Sequence, residues 1–167
     1  SGTNGFLLES LKMVLRFIDK DEIQMIHYPD FFEVGYKNKY DKDIYHYLDS
    51  VARDSQYEMN RGFCHRLIRC SVVVWGFKNI EELKSKYREV IDVLTNSYDG
   101  EKNTTDIQRL KGMIREFEEE LVWAYNGVQV KNVHHLRLGF YHDSSSEQMQ
   151  KDVITILNQF REIKPNI

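Results

Sequence analysis

Cysteine and proline are almost missing from this chain, with two of each in 167 residues. Cys64 and Cys70 stand six residues apart inside one apolar helical pattern. That spacing turns them to different sides of a helix, so they are expected as buried free thiols rather than as a pair. Free thiols suit a reducing compartment, and the expected location is cytoplasmic. No Cys-x-x-Cys pair occurs, so no structural zinc site is expected. The prolines are Pro29 and Pro165, and nothing from Asp30 to Lys164 forces a helix to break. Long helices are favoured as a result. Long hydrophobic runs are lacking too. Leu67 to Trp75 is apolar but short, and Arg69 interrupts it, so no membrane segment is expected. No secretory leader is visible, and Ser1 to Gly5 reads as an appended remnant or the end of a linker. An excess of positive charge is also absent. The 23 basic and 26 acidic residues leave a net charge of −3, so no global field draws this chain onto nucleic acid. Contact with RNA must then come from a local patch or from a surface shared between protomers. There is no glycine-rich phosphate loop, no nucleophile elbow, no repeat and no low-complexity tract.

Aromatic residues are what the chain has in plenty. They make up 13% of it, with ten Tyr and nine Phe. Tyrosine suits core edges and interfaces because one end is apolar and the other stays wet. Apolar periodicity supplies the rest of the fold reading. Leu7, Leu8, Leu11, Val14, Leu15 and Ile18 form one stripe of a helix over Phe6–Ile18. Glu22 to Tyr36 is irregular. A long helix is expected from Asp43, carrying Ile44, Leu48, Val51, Met59, Phe63, Leu67, Cys70 and Val74, with Gly62 weakening it and Gly76 ending it. Asn79 with Glu82 forms a capping box for the next helix, whose buried face is Ile80, Leu83, Tyr87, Val90, Ile91 and Leu94. Asp99-Gly100 is a turn. Thr105 with Gln108 starts a further helix, with Ile107, Leu110, Met113, Ile114, Phe117, Leu121 and Ala124 as its stripe and Asn126-Gly127 as its end. Val128 to His142 reads either as a strand or as a loop. Ser144 with Glu147 caps the last helix, with Met149, Val153, Ile156, Leu157 and Phe160 inward. These elements predict an all-α bundle of about five helices with an irregular N-terminal segment, in a single domain over 6–167. The alternative is a small α+β domain with strands at Val72–Phe77 and Val133–Tyr141.

Chemistry is concentrated in Arg137-Leu138-Gly139-Phe140-Tyr141-His142-Asp143. Metal-free RNA cleavage needs a base for the 2′-hydroxyl and a cation for the phosphate. His142 suits the first role and Arg137 the second, and Asp143 would orient the imidazole. The bland alternative makes Arg137 a solvated charge and His142 a boundary residue before the helix cap. Arg61, His65 and Arg69 recur every four residues on one helix face, beside Arg66. Such a stripe would cradle RNA phosphates, or it is a solvated face paired with Glu58 or Asp54. His134-His135 is a weak metal signal, since adjacent side chains diverge and no third ligand stands at useful spacing. No metal site and no cofactor is assigned. Tyr36, Tyr40, Tyr45 and Tyr47 would stack on bases or pack over a core edge. Glu118-Glu119-Glu120 reads as a solvated face, and Ser144-Ser145-Ser146 as capping.

The Arg137–His142 stretch resembles the Arg-x4–6-His motif of the HEPN superfamily of helical domains. The likeness extends over Asp43 to Glu162 mainly through helix pattern. It implies a homodimeric, metal-independent endoribonuclease of the kind found in toxin and antiphage defence proteins. His142 would be the acid/base, Arg137 the phosphate clamp, and the product a cyclic 2′,3′-phosphate. Relatives in that superfamily usually carry Asn, Asp or His after the arginine, where this chain has Leu138. A non-catalytic domain that binds a protein partner or senses a small nucleotide ligand is therefore the alternative.

Overall fold

The computed structural model describes residues 2–20, 44, 47–98, 100–141 and 143–165. Within them the chain is all-α, and no strand occurs among the described residues. The helices are α1 (Gly2–Asp19), α2 (Gln56–Trp75), α3 (Ile80–Asn96), α4 (Thr105–Tyr125) and α5 (Ser146–Ile163), with a short helical stretch over 47–52. Short 3-10 turns occupy Val130–Asn132 and Gly139–Tyr141. The α+β alternative is thereby corrected: residues 72–75 are the last turn of α2, and 133–141 hold no ladder. The irregular segment read at Glu22–Tyr36 and the tyrosines Tyr36, Tyr40 and Tyr45 lie outside the described residues.

Contacts divide the chain into two compact units, 1–132 and 133–167, where the sequence reads as one domain. In the first unit α1 packs on α3 and on α2, and α2 packs on α4. The expected stripes become the core. Leu7, Leu11 and Val14 of α1 meet Leu67 and Ile68 of α2, Leu83 and Tyr87 of α3, and Leu110 of α4, and all of them are almost fully buried. A smaller cluster joins Ile44, Phe117 and Val130. Each such side chain contributes about 1.5–3 kcal/mol by leaving water, which is what holds these helices together. Residues 2–5 form the first turn of α1, and Asn4 accepts hydrogen bonds from Lys111 and Asn103. The other end of α1 is tied by Asp19 to Lys84 of α3 at 2.8 Å.

Caps explain most helix boundaries. Gly76 ends α2 in the left-handed region, donating its N–H to Val72. Such a conformation suits a residue without a Cβ. Asn79 accepts from Glu82 N at 2.9 Å, while Glu82 accepts from Lys78 N. Two cap readings shift by one residue: Thr104, not Thr105, caps α4, and Ser145, not Ser144, caps α5. Asp143 explains the second shift by accepting from both the N–H and the hydroxyl of Ser145. The long helix expected from Asp43 to Val74 breaks at Asp54, whose φ is +53°, and restarts on Ser55, which caps α2. Asp and Ser offer the backbone a local partner outside the helix, so neither Gly nor Pro is needed for the break.

Two polar groupings sit inside the first unit. Tyr87 Oη and Ser71 Oγ lie 2.6 Å apart, and Ser71 also stands 2.8 Å from the Leu67 carbonyl. Burial pushes the Tyr87 phenol above its ordinary range. Cys64 and Cys70 are buried free thiols, as expected, and burial pushes the Cys64 thiol up to about 12, leaving it unreactive. The larger grouping is Arg66 of α2 with Glu120 of α4, 2.7 Å apart with side chains only 4% and 9% exposed. Glu120 is thus no solvated face residue, and the guanidinium of Arg66 also lies over the Phe117 ring at 4.9 Å.

A buried pair is costly to break from one side and cheap to replace whole. Glu120→Ala is therefore expected to destabilise the first unit by about 3–5 kcal/mol, read by chemical denaturation. The double replacement Arg66→Met with Glu120→Leu is expected to restore most of that stability. Equal losses in both variants contradict this assignment.

Candidate functional site

The two sequence-derived groups fall in different units, so each is described by itself. The first is the cationic face of α2. Arg61, His65 and Arg69 do share one side of the helix, but that side is not a free basic strip. Arg69 is 9% exposed, His65 is half-buried, and the Arg61 side chain is 24% exposed. Arg61 pairs with Glu58 at 3.5 Å, as the solvated-face reading supposed, while Arg66 turns inward to Glu120. An arginine withdrawn from water this far serves packing first, because its planar fork stacks on rings and binds a carboxylate at once. Of the three, Arg69 is the one withdrawn from the surface, while Arg61 and His65 keep partial exposure.

The second group is the 137–143 stretch in the C-terminal unit. His142 lies outside the described residues, so its relation to Arg137 is not part of this geometry. Arg137 is exposed and has a φ of +49°, a left-handed conformation that costs a non-glycine residue on the order of 1 kcal/mol. Asp143 is exposed and is engaged in capping α5. The weak metal signal is not built up further: the His134 Nδ1 lies 3.2 Å from Gln159 Nε2 of α5, and His135 is half-buried. Among the described residues no group of three or more His, Cys, Asp or Glu could hold a metal ion. Nor is any described helix long and apolar enough to cross a membrane.

What shapes this stretch is Asp152, which the sequence reading did not single out. It is 7% exposed on α5, and its two carboxylate oxygens accept from the N–H of Gly139 at 3.0 Å and of Phe140 at 2.7 Å. Gln148, one turn earlier, donates to it at 2.8 Å. The carboxylate therefore clamps a 3-10 turn onto the helix. Burial pushes the Asp152 carboxyl up, but the donors from Gly139, Phe140 and Gln148 outweigh it and hold the group below the usual carboxylate range. A Cβ at Gly139 would meet the end of the Gln148 side chain, which would have to shift to make room. A sequence signal did exist: Asp152 follows Gln148 by one helical turn and sits at the border of the apolar stripe of α5.

No family model matches the chain, and no solved structure matches it. A 95-residue stretch is 35% identical to a Bacteroides thetaiotaomicron protein whose name describes it as glucosamine-6-phosphate deaminase-like. The match takes in 54% of this chain and 14% of that protein, so the chain spans about one seventh of the length of the relative it matches.

Two outcomes follow for the clamp. A carboxylate held low in the folded state adds stability at every pH above its unfolded value of about 3.9, and that contribution disappears as pH falls through the folded value. The Gly139 and Phe140 amide signals are expected to keep their folded shifts at pH 5 and to lose them only in stronger acid. Gly139→Ala should cost about 1 kcal/mol by displacing Gln148 from Asp152. Combined with Gln148→Ala it should cost little more than either change alone, whereas additive losses would show that Gly139 and Gln148 act separately.

Proposed function

We propose that this chain is a helical part of a longer protein that handles amino-sugar phosphates, in keeping with the name of its Bacteroides relative. The observation that carries this reading is the 35% identity over 95 residues of a relative about seven times longer than the match. One feature is in keeping with it: Arg66 and Arg69 of α2 are drawn into helix packing, Arg66 with Glu120 above all. The chain on this reading frames or braces a site completed elsewhere in the longer protein. The polypeptide encoded by the complete gene is expected to release ammonia from glucosamine 6-phosphate or to bind it in calorimetry, and the 167-residue chain alone to do neither. A complete polypeptide that neither binds nor deaminates amino-sugar phosphates contradicts the proposal.

A second reading keeps the HEPN-like role: a homodimer that binds RNA or cleaves it without metal, with Arg137, His142 and Asp143 as the reacting set. It draws on the built shape of the loop, in which Asp152 fixes the Gly139–Phe140 turn two residues from an exposed Arg137. RNA incubated with the chain in EDTA would be cut to cyclic phosphate ends, and His142→Ala and Arg137→Ala would abolish the cutting. Intact RNA, or cutting that survives both changes, removes this reading.

A further inference from the structure

Several lysines of this chain are matched by a carboxylate. Lys12 pairs with Glu9, Lys84 with Asp19, Lys86 with Glu89 and Lys151 with Glu147, each at 2.9 Å or closer. Lys111 of α4 is placed differently. Its nitrogen donates to the side-chain oxygen of Asn4 in the first turn of α1. Asn103 Nδ2 donates to the same oxygen at 3.0 Å, and Gln108 Nε2 holds the Asn103 carbonyl at 3.3 Å. One turn further along the same helix stands a second cation, Arg115. Like charges at this spacing weaken a helix slightly, so helix stability does not account for the pair. Among the described residues no carboxylate forms an ion pair with Lys111 or Arg115.

These surroundings change what the nitrogen can do. Lys111 is half-buried, while Arg115 is exposed. Burial, and then the charge of Arg115, hold the Lys111 ammonium below the usual lysine range. The unprotonated amine, which is the nucleophile, is more available as a result. Asn4 does not oppose this, because an amide oxygen accepts from an amine as well as from an ammonium, and it keeps the nitrogen in place. Side chains one turn apart start roughly 6 Å from each other. The planar fork of Arg115 can therefore hold a phosphate while a carbonyl of the same small molecule lies at Lys111 Nζ. We propose that Lys111 and Arg115 form a site for small phosphate-bearing aldehydes and ketones, in which Lys111 Nζ joins the carbonyl carbon as an imine and Arg115 binds the phosphate. The nitrogen lone pair makes the new bond, and both protons of the neutral amine leave with the carbonyl oxygen as water. No oxidant or reductant is consumed. The inference stands on the Lys111 surroundings and is independent of the name of the Bacteroides relative.

Pyridoxal 5′-phosphate followed by borohydride fixes imines of this kind, and mass spectrometry reads which lysine carries the adduct. In the 167-residue chain Lys111 is expected to be labelled on the order of tenfold faster than the exposed Lys78 and Lys131. Inorganic phosphate should slow the labelling of Lys111 and leave the other two as they were. Arg115→Gln should remove most of the advantage of Lys111 toward pyridoxal 5′-phosphate, and less of it toward pyridoxal, which offers Arg115 no phosphate. Labelling of Lys111 at the rate of Lys78 in the unsubstituted chain overturns the proposal. Fast labelling that neither inorganic phosphate nor Arg115→Gln slows also overturns it, since Arg115 then holds nothing. Should Arg115→Gln fail to fold, competition by inorganic phosphate on the unsubstituted chain still decides. The ammonia assay concerns the complete polypeptide and a different compound, so its outcome and this one remain separate findings.

Discussion

Arg66 and Glu120 constrain everything around them. One long cation and one carboxylate, both nearly out of water, must meet at 2.7 Å where α2 crosses α4. Neither charge is tolerable there without the other. The pair therefore fixes how α2 is rotated, and the rotation decides the fate of its other cations. With Arg66 turned to Glu120 and stacked on Phe117, Arg69 is carried inside and Arg61 is left at the margin with Glu58. Arg66 and Arg69 are thereby drawn into the packing of the bundle, while Arg61 keeps part of its side chain in water.

A second carboxylate does comparable work in the C-terminal unit. Asp152 gathers two backbone donors and one side-chain amide, and in doing so it gives shape to the most polar loop of that unit. Both carboxylates act as organisers of neighbouring groups.

The helices of the first unit were readable because their stripes repeat at three and four residues and end in caps with plain chemistry. Gly76, Asn79 and the α1 stripe from Leu7 to Ile18 are all where periodicity puts them. The break at Asp54 was not readable from glycine and proline alone, since what marks it is the Ser55 side chain capping the helix that follows. Glu120 was hidden for a different reason. In a run of three glutamates only the helix rotation tells which one faces inward, and that rotation is set by a residue 54 positions away. Asp152 was masked by the apolar residues around it, which drew attention to the face they form.

The commitment of the α2 cations to the bundle can be tested directly by footprinting the native chain with an arginine-specific dicarbonyl and reading modification by mass spectrometry. Arg53, whose side chain is 74% exposed, and Arg137 should react rapidly, while Arg66 and Arg69 should stay unmodified until the chain is unfolded. Modification of Arg66 and Arg69 at the rate of Arg53 in the folded chain would contradict the account, because the stripe would then be open to a ligand after all.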